Sequence, residues 1–248
     1  GIITNIIKEE KIKYVYWNRC YEPDRIVADT FLKKEIIKLN VFAKSFNSSL
    51  LWEPWKIKNK SGNFYKVFTP FFKKGCLETD QPRIPFNKPK ELFFLKLSKK
   101  DNIYQFNFQN SKDKWYSKFE KIWNISEAAA KNTFNSFLQN GASDYNEGRN
   151  FPNKNSVSKI SAYLHWGQIS PFRVWHEAKN KMFGLHKETF LSELGWREFS
   201  YHLLYHFPEI NKQNLKKQFN KLDWNVNSEF LLKWKKGKTG FPIVDAGM

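Results

Sequence analysis

Four chemically versatile side chains recur at helical spacing in residues 190–208, which read FLSELGWREFSYHLLYHFP. Counting from Glu193, the residues Trp196, Arg197 and Ser200 follow after three, four and seven positions, so a helix of about five turns places all four on one face. This face offers a carboxylate, an indole, a guanidinium and a hydroxyl. The other faces are largely apolar or aromatic, which is typical of a core helix that turns a polar stripe toward a cavity or a partner. The alternative is an ion pair between Glu193 and Arg197 beside a packed tryptophan.

A turn-rich segment, residues 145–163, offers a second kind of chemistry. Its sequence, YNEGRNFPNKNSVSKISAY, places serines just before a predicted helix that begins near Lys159. Ser156 or Ser158 can cap that helix, and the free N–H groups of a helix amino terminus, together with such hydroxyls, can hold a phosphate group. The alternative is an ordinary capping serine without a ligand.

The amino-terminal part of the chain predicts a parallel α/β unit. We expect a buried strand over residues 13–17, a helix over residues 22–39 with Pro23 in its first turn, and a second strand over residues 40–45. A strand, a helix and a strand in this order imply parallel pairing of the strands. The sequence contains no GxGxxG motif, so a dinucleotide-binding fingerprint is not indicated.

The middle of the chain predicts a linker followed by helices. Residues 77–112 are polar and contain Pro82, Pro85 and Pro89, a pattern typical of a connecting segment. Beyond it, an apolar periodicity predicts a helix that ends near Leu138, because the dipeptide at positions 140–141, Asn-Gly, is a helix stop signal.

The composition favours a polyanionic partner and a reducing compartment. The 248 residues include 42 Lys and Arg against 24 Asp and Glu, for a net charge of +18, which suits nucleic acid first and an anionic membrane surface second. The abundance of lysine, asparagine and isoleucine is also typical of an AT-rich genome, so part of this charge is alternatively a solvated surface. Cys20 and Cys76 make neither a disulfide framework nor a metal site. Neither a signal peptide nor a hydrophobic run of membrane length occurs in the sequence, so we expect a cytoplasmic protein without membrane contact.

Three segments in order resemble the flavin-binding domain of the DNA photolyase/cryptochrome family. They read YLHWGQISPFRVW at residues 163–175, LGWREFSYHLLYHFP at residues 194–208, and WKKGKTGFPIVDAGM at residues 234–248. A further match covers much of the first 75 residues, and the resemblance is weak mainly over roughly residues 77–140. The chain is most similar to class I cyclobutane pyrimidine dimer photolyases, and we interpret it as a fragment cut at both ends that is inactive by itself.

The resemblance implies an α/β antenna domain, Rossmann-like and partial, followed by an all-α flavin-binding domain that is also partial. The expected ranges are residues 1–76 for the antenna domain, 77–112 for the linker, and 113–248 for the helical domain that binds FAD and DNA. The implied activity is the light-driven, FAD-dependent repair of pyrimidine dimers in UV-damaged DNA, by a protein that is a monomer at full length. The family also uses a second antenna chromophore, which is a folate, a deazaflavin or a flavin.

The flavin contacts follow from the resemblance position by position. Val157 stands where many relatives have threonine, so one hydroxyl contact is missing, and Lys159 stands where arginine is common, so the charge is kept without the fork geometry. Phe190 stands where relatives often have tryptophan, which keeps an aromatic wall. The implied cofactor-binding residues are Tyr145, Val157, Ser158, Lys159, Ile160, Ser161, Phe190 and Arg197.

The same resemblance assigns residues that face DNA and residues that carry electrons. The implied DNA-binding residues are Arg149, Glu193, Trp196, Arg197 and Ser200. In these roles the indole stacks on a flipped-out dimer, and Glu193, if burial raises its pKa, hydrogen-bonds the dimer carbonyls as a catalytic group.

Trp224 corresponds to the outermost tryptophan of the family's electron-transfer chain, and the alternative for it is a packed or half-exposed indole. Two other functions remain open. The first is a cryptochrome-type blue-light receptor with the same flavin fold. The second is a basic, aromatic nucleic-acid-binding module without a cofactor.

Overall fold

A small parallel α/β unit opens the chain in the computed structural model, which describes residues 1–94, 116–223 and 226–248. Strands β1 and β2 pair in parallel, with Tyr14 opposite Phe42 and Asn18 opposite Phe46. The helix between them begins at Pro23, whose missing N–H and fixed φ suit a first helical position. The predicted order of strand, helix and strand is therefore confirmed. The elements are α1 (Ile2–Glu9), β1 (Tyr14–Asn18), α2 (Pro23–Lys38) and β2 (Phe42–Phe46).

The burial expected for the first strand is wrong for one of its two faces. Tyr14 and Tyr16 are exposed, and their rings form an aromatic strip with Phe42 and Phe46 of the neighbouring strand. The opposite face packs on α1 and α2 around Ile7, Ile36 and Val41. Because side chains alternate across a strand, a two-stranded sheet that is covered on one side leaves every second residue exposed.

The larger core joins the segment that follows β2 to the helices of the second half of the chain. Leu51, Trp52, Phe71 and Phe72 lie in the same buried cluster as residues of α5, α8 and α9. The remaining helices of this part are α3 (Phe68–Pro70), which continues into a π-helical turn (Phe71–Cys76), α4 (Ser117–Glu120), α5 (Glu127–Asn140), α6 (Tyr145–Gly148), α7 (Ser161–His165), α8 (Pro171–Lys181) and α9 (Gly184–His206).

Two of these helices confirm their sequence signals. Helix α5 starts after Ser126, whose Oγ accepts a hydrogen bond from the Ala129 N–H at 3.0 Å, and it ends at Asn140 with Gly141 as the next residue. Helix α9 contains the whole periodic segment predicted from residue 190 onward and begins earlier, at Gly184.

Helix α9 is approached closely by the ring of Phe72. A Cβ atom at Gly195 would lie 2.4 Å from Cδ2 of Phe72, well inside van der Waals contact. Glycine at this position therefore lets an aromatic ring rest directly on the helix backbone. The contact joins the π-helical turn to the middle of α9.

The chain divides into two compact units, Gly1–Pro208 and Glu209–Met248. The second unit contains α10 (Ser228–Lys235) and α11 (Pro242–Gly247). In this unit Asp245 closes the turn before α11, because its carboxylate accepts hydrogen bonds from the Thr239 N–H at 2.8 Å and the Gly240 N–H at 3.0 Å. The three domain ranges expected from sequence stay a prediction.

Among residues 1–94, 116–223 and 226–248, we find no helix with both the length and the apolar character that a membrane span requires.

Candidate functional site

Helices α6, α7 and α9 enclose an open cavity of about 420 Å³ in the first unit. Two aromatic side chains, Tyr145 and Phe190, form one wall, with ring centroids 5.2 Å apart and planes inclined at 75°. Apolar side chains of α7 and α9, Leu164 and Leu194, add to the lining. A concave site of this size, mostly apolar with a few polar groups, is typical of small-molecule binding.

Most of the flavin contacts predicted from sequence meet in this cavity. Hydroxyl and charged groups come from Ser158, Ser161, Glu193 and Arg197, which lie beside the aromatic wall and Ile160. Val157 and Lys159 instead lie on the exposed surface. These two side chains therefore do not line the cavity, whereas Ser158 between them does, and their roles stay a prediction.

The turn at Lys159 explains this alternation. Its φ of 53° lies in the left-handed region, which residues other than glycine rarely adopt. The two neighbours of this residue, Ser158 and Ile160, both line the cavity, whereas Lys159 does not. Strained backbone of this kind is concentrated at functional sites.

The loop before this turn is held by Asp144. Its Oδ2 accepts hydrogen bonds from Ser156 Oγ at 3.0 Å and from Lys154 Nζ at 3.2 Å, and the bond from Ser156 is the main cause that lowers the pKa of Asp144. A Cβ atom at Gly148 would lie 2.2 Å from the same Oδ2. The loop therefore folds tightly around one carboxylate.

The expected capping role of Ser156 or Ser158 is wrong. Ser156 is buried and bonded to Asp144, and Ser158 lines the cavity. The helix that they were expected to cap, α7, begins at Ser161 with Ile160 as its N-cap residue. The left-handed turn at Lys159 delays the helix start by two residues relative to the prediction.

Glu193 forms an ion pair with a residue far away in sequence. Arg149 Nη1 donates to Glu193 Oε1 at 2.6 Å, and this bond raises the pKa of the guanidinium. The partner that the helical spacing suggested for Glu193, Arg197, is bonded to Glu198 instead. The side chain of Glu193 is 39% exposed at the rim of the cavity, and its catalytic role stays a prediction.

Arg197 is fixed by a buried carboxylate. Its Nη1 donates to Glu198 Oε1 at 2.9 Å, and its guanidinium carbon lies 5.3 Å from the centre of the Tyr201 ring. Glu198 is 3% exposed, and burial raises its pKa to about 7. Its other oxygen accepts hydrogen bonds from the Leu51 and Trp52 N–H groups at 2.8 and 3.3 Å.

Trp196 presents one ring face to solvent and the other to Phe68. The two rings are stacked with centroids 3.7 Å apart and planes at 9°, and Trp196 remains 46% exposed. Ser200, on the same helix face, is exposed and donates its hydroxyl proton to the Trp196 carbonyl oxygen at 2.9 Å. The exposed face of Trp196 therefore forms a stacking platform on α9, the helix that also contributes Phe190, Glu193 and Arg197 to the cavity.

A polar seam between α6 and α9 was missed by sequence reasoning. Asn146 donates its N–H to His186 Nδ1 at 3.1 Å and accepts a hydrogen bond at Oδ1 from Thr189 Oγ1 at 2.7 Å. With the Arg149–Glu193 pair, positions 186, 189 and 193 form one stripe of α9 that holds α6. The sequence did contain a signal for this seam. Polar residues of α9 recur at a spacing of three and four positions, which places them on one helix face, and a polar run that begins at Tyr145 supplies their partners.

Other expected features are placed as follows. Trp224, expected to carry electrons, lies outside the described residues. In the described part of the chain, Cys20 is an exposed and Cys76 a buried free thiol. No cluster of metal-ligating side chains occurs among the same residues.

Family models match both ends of the chain. A model described as DNA photolyase matches residues 1–90, and a model described as the FAD binding domain of DNA photolyase matches residues 190–248. The second match covers most of helix α9, and therefore Phe190, Glu193, Trp196 and Arg197.

Similar proteins cover this chain from end to end. The deoxyribodipyrimidine photo-lyase of Agrobacterium fabrum is 36% identical over 256 residues, a match that covers 100% of this chain and 52% of the relative. Cryptochrome-2 of Arabidopsis thaliana is 27% identical, with 99% of this chain and 42% of the relative covered. The chain thus spans about half the length of the curated relatives it matches.

A solved structure shares the fold. The bacterial class III photolyase from Agrobacterium tumefaciens superposes with a TM-score of 0.91 at 35% identity, over 99% of this chain and 52% of that one. This likeness confirms a photolyase-type fold with a small parallel sheet and a largely helical remainder. The similarity noted in the sequence was to class I enzymes, whereas this structure is of class III.

Proposed function

The chain belongs to the DNA photolyase/cryptochrome family, and from this premise we propose that it carries the flavin- and DNA-facing residues of a deoxyribodipyrimidine photo-lyase. Such an enzyme repairs cyclobutane pyrimidine dimers in DNA with light. Photo-lyase relatives reach 36% identity, whereas the cryptochrome relatives stand at 27% and 24%.

The donor set of the cavity fits a flavin nucleotide. Ser158 and Ser161 supply hydroxyls on either side of a left-handed turn, where backbone N–H groups and hydroxyls suit phosphate oxygens. Tyr145 and Phe190 supply an aromatic wall, and Arg197 supplies a fixed cation. These residues, with Ile160, would hold FAD, and Val157 and Lys159 would contribute backbone rather than side chains.

The rim of the cavity fits a flipped-out pyrimidine dimer. Trp196 offers a free ring face on which a base can stack, and Phe68 supports that ring from behind. Glu193 lies beside it at the cavity rim, within reach of a ligand in the cavity and of one outside it. The observation that carries the proposal is this position of Glu193, because one carboxyl group borders both the cavity and a stacking platform.

The residues of this chain act by binding and orientation. FAD, held by the residues of the cavity, would supply light-driven one-electron transfer chemistry. The O–H of a protonated Glu193 carboxyl group would donate a hydrogen bond to a dimer carbonyl, where negative charge develops, and Arg149, which donates to Glu193 Oε1, holds that carboxyl group in place. Arg149 and Ser200 add contacts to the DNA backbone at the exposed rim.

Further parts of the proposal rest on the family alone. They are a second antenna chromophore (a folate, a deazaflavin or a flavin), a role for Trp224 in electron transfer, a monomeric state and a division at residues 76 and 112. Asp24 and Arg25 differ from the Asn-Glu pair of some folate-binding relatives, so the chromophore type stays open. A cytoplasmic location accords with the two free thiols.

The test is light-dependent loss of dimers from UV-irradiated DNA. We expect the full-length protein that contains this chain to show flavin absorbance and to remove dimers under blue or near-UV light but not in the dark. Flavin absorbance without repair would favour the cryptochrome-type receptor. DNA binding without flavin absorbance would favour the nucleic-acid-binding module and overturn the proposal.

A further inference from the structure

Glu198 connects two parts of the first unit that are far apart in sequence. On α9 it follows Arg197 directly and points into the core, where it is 3% exposed. One carboxylate oxygen accepts from Arg197 Nη1 at 2.9 Å, and the other accepts from the Leu51 and Trp52 N–H groups at 2.8 and 3.3 Å. A single buried carboxylate therefore ties the segment after β2 to an arginine of the cavity.

These contacts determine where the charge of Arg197 lies. An arginine head on a flexible stem loses considerable rotamer entropy when it binds a ligand, unless another partner already orients it. Glu198 and the ring of Tyr201 provide that orientation in advance. The side chain of Arg197 is only 19% exposed, and Arg197 is one of the residues that line the cavity.

We propose that Glu198 is a positioning residue for the ligand of this cavity, acting through Arg197, and that this action requires the ionised carboxylate. The ligand class is an anionic, planar nucleotide, so the inference rests on the proposed function and extends it. Glu198 itself does not touch the ligand. Its protonation would weaken the bond to Arg197 and leave the guanidinium free to reorient.

The surroundings of Glu198 make its protonation relevant near neutral pH. Burial, partly offset by Arg197, raises its pKa to about 7. The other titratable groups that sense its charge are Cys76 and Tyr201, whose pKa values are raised, chiefly by burial, and which stay neutral near pH 7. On the segment that packs against α9, the carboxylate of Glu53 is bonded to Arg19 and Tyr21. Glu22 faces Tyr201 through a hydrogen bond of 3.4 Å.

The test is the pH profile of the FAD affinity of the full-length protein that contains this chain, measured by fluorescence titration between about pH 6 and about pH 8.5. We expect the affinity of the wild-type protein to weaken as the pH falls through the pKa of Glu198. Glu198→Gln should bind FAD about tenfold more weakly than wild type at the upper pH, since one charge-assisted bond to Arg197 is lost, and its profile should be flat.

Glu177→Gln is the matched control. It removes a comparable carboxylate partner, 2.6 Å from Arg173 Nε on α8, at a site outside the cavity lining. Its profile should follow that of the wild type. A pH profile of Glu198→Gln that is identical to wild type would overturn the inference.

Arg197→Gln keeps the inference testable even if Glu198→Gln fails to fold. With Glu198 intact but its partner removed, FAD affinity should be weaker and independent of pH in the same range. A pH dependence that persists in Arg197→Gln would show that Glu198 acts by another route, which contradicts the inference. If the wild type binds no FAD at any pH, the proposed function itself is overturned, an outcome distinct from FAD binding without a pH effect.

Discussion

Arg149 and Glu193 are joined by a hydrogen-bonded ion pair of 2.6 Å, although 44 residues separate them. The pair links the loop after α6 to the exposed stripe of α9. The carboxyl group that faces the proposed lesion is thus oriented by a hydrogen bond from an arginine on a different element. Glu193 is therefore held in position before any DNA arrives.

This pair predicts separate effects for its two members. Glu193→Gln keeps the size of the side chain but replaces the acidic group and its ion pair with Arg149 by an amide, which is a weaker hydrogen-bond donor, so we expect a lower quantum yield of dimer repair with a smaller loss of affinity for damaged DNA. Arg149→Ala should lower both quantities, because it frees Glu193 and removes a cation from the DNA-facing rim. Repair yield and DNA affinity, measured on the same preparations, check this. Glu229→Gln, which breaks an exposed ion pair with Lys233, should change neither. An unchanged yield in Glu193→Gln would show that this carboxyl group is structural.

The stacked pair of Trp196 and Phe68 predicts a lesion-specific binding effect. Trp196→Ala should weaken binding to dimer-containing DNA by roughly 1–3 kcal/mol, the scale of one base–aromatic stack, and should affect undamaged duplex much less. Gel-shift titrations on the two DNAs measure the difference. Trp166 is also exposed but lies against His165, so Trp166→Ala serves as the control. Equal affinity of wild type and Trp196→Ala for damaged DNA would remove Trp196 from the site.

The net charge of +18 predicts a steep salt dependence of DNA binding. Each phosphate neutralised by Lys or Arg releases counterions, so the logarithm of the binding constant should fall linearly with the logarithm of salt concentration. Titrations of undamaged DNA at several salt concentrations give the slope. A binding constant that stays flat would mean that the basic residues form only a solvated surface.

Burial of Glu198 predicts a pH dependence of stability that is opposite in direction to that of ligand affinity. Its folded-state pKa of about 7 lies above the ordinary 4.5, so between these values the folded protein binds more protons than the unfolded chain. The contribution of this group to the free energy of unfolding is therefore complete below pH 4.5. It is lost as the pH rises through the folded-state pKa of about 7, by about 3 kcal/mol at most. In urea unfolding without FAD, Glu198→Gln should gain stability relative to wild type as the pH rises. A stability difference between Glu198→Gln and wild type that stays constant between pH 4.5 and about 7 would contradict the raised pKa of Glu198.

The tight loop around Asp144 predicts a cost for any side chain at Gly148. In Gly148→Ala the new methyl group would lie 2.2 Å from Asp144 Oδ2 and 2.3 Å from Ser156 Oγ, so the loop must shift. We expect the free energy of unfolding to fall by about 1–3 kcal/mol. Gly247→Ala, where the described structure leaves open space, should have little effect. Urea unfolding of both variants makes the comparison.

Local patterns predicted the elements, whereas the family resemblance supplied most of the cavity lining. Helical periodicity gave α9, with Phe190, Glu193 and Arg197 on it, and the alternation of strand and helix gave the parallel pair β1 and β2. These features depend on residues within a few positions of each other, which is the range that propensity and spacing describe.

Contacts between distant segments were not predictable in the same way. Helical spacing suggested Arg197 as the partner of Glu193, but tertiary packing brings Arg149 closer and gives Arg197 to Glu198. Ser156 has the residue type of a helix cap, yet a carboxylate twelve residues earlier competes for its hydroxyl. Such choices depend on the three-dimensional neighbourhood, which spacing along the chain does not encode.

The notch at Gly195 limits how the polypeptide can be divided. The ring of Phe72 fills the space that a side chain on α9 would otherwise occupy, so the helix has an apolar groove shaped for a residue of the amino-terminal segment. A polypeptide that begins after Cys76 would contain α9 with this groove open to water. A chimera of two relatives that is joined after position 76 would therefore fold well only under two conditions. Its amino-terminal part must have an aromatic ring at position 72, and its carboxyl-terminal part must have a glycine at position 195.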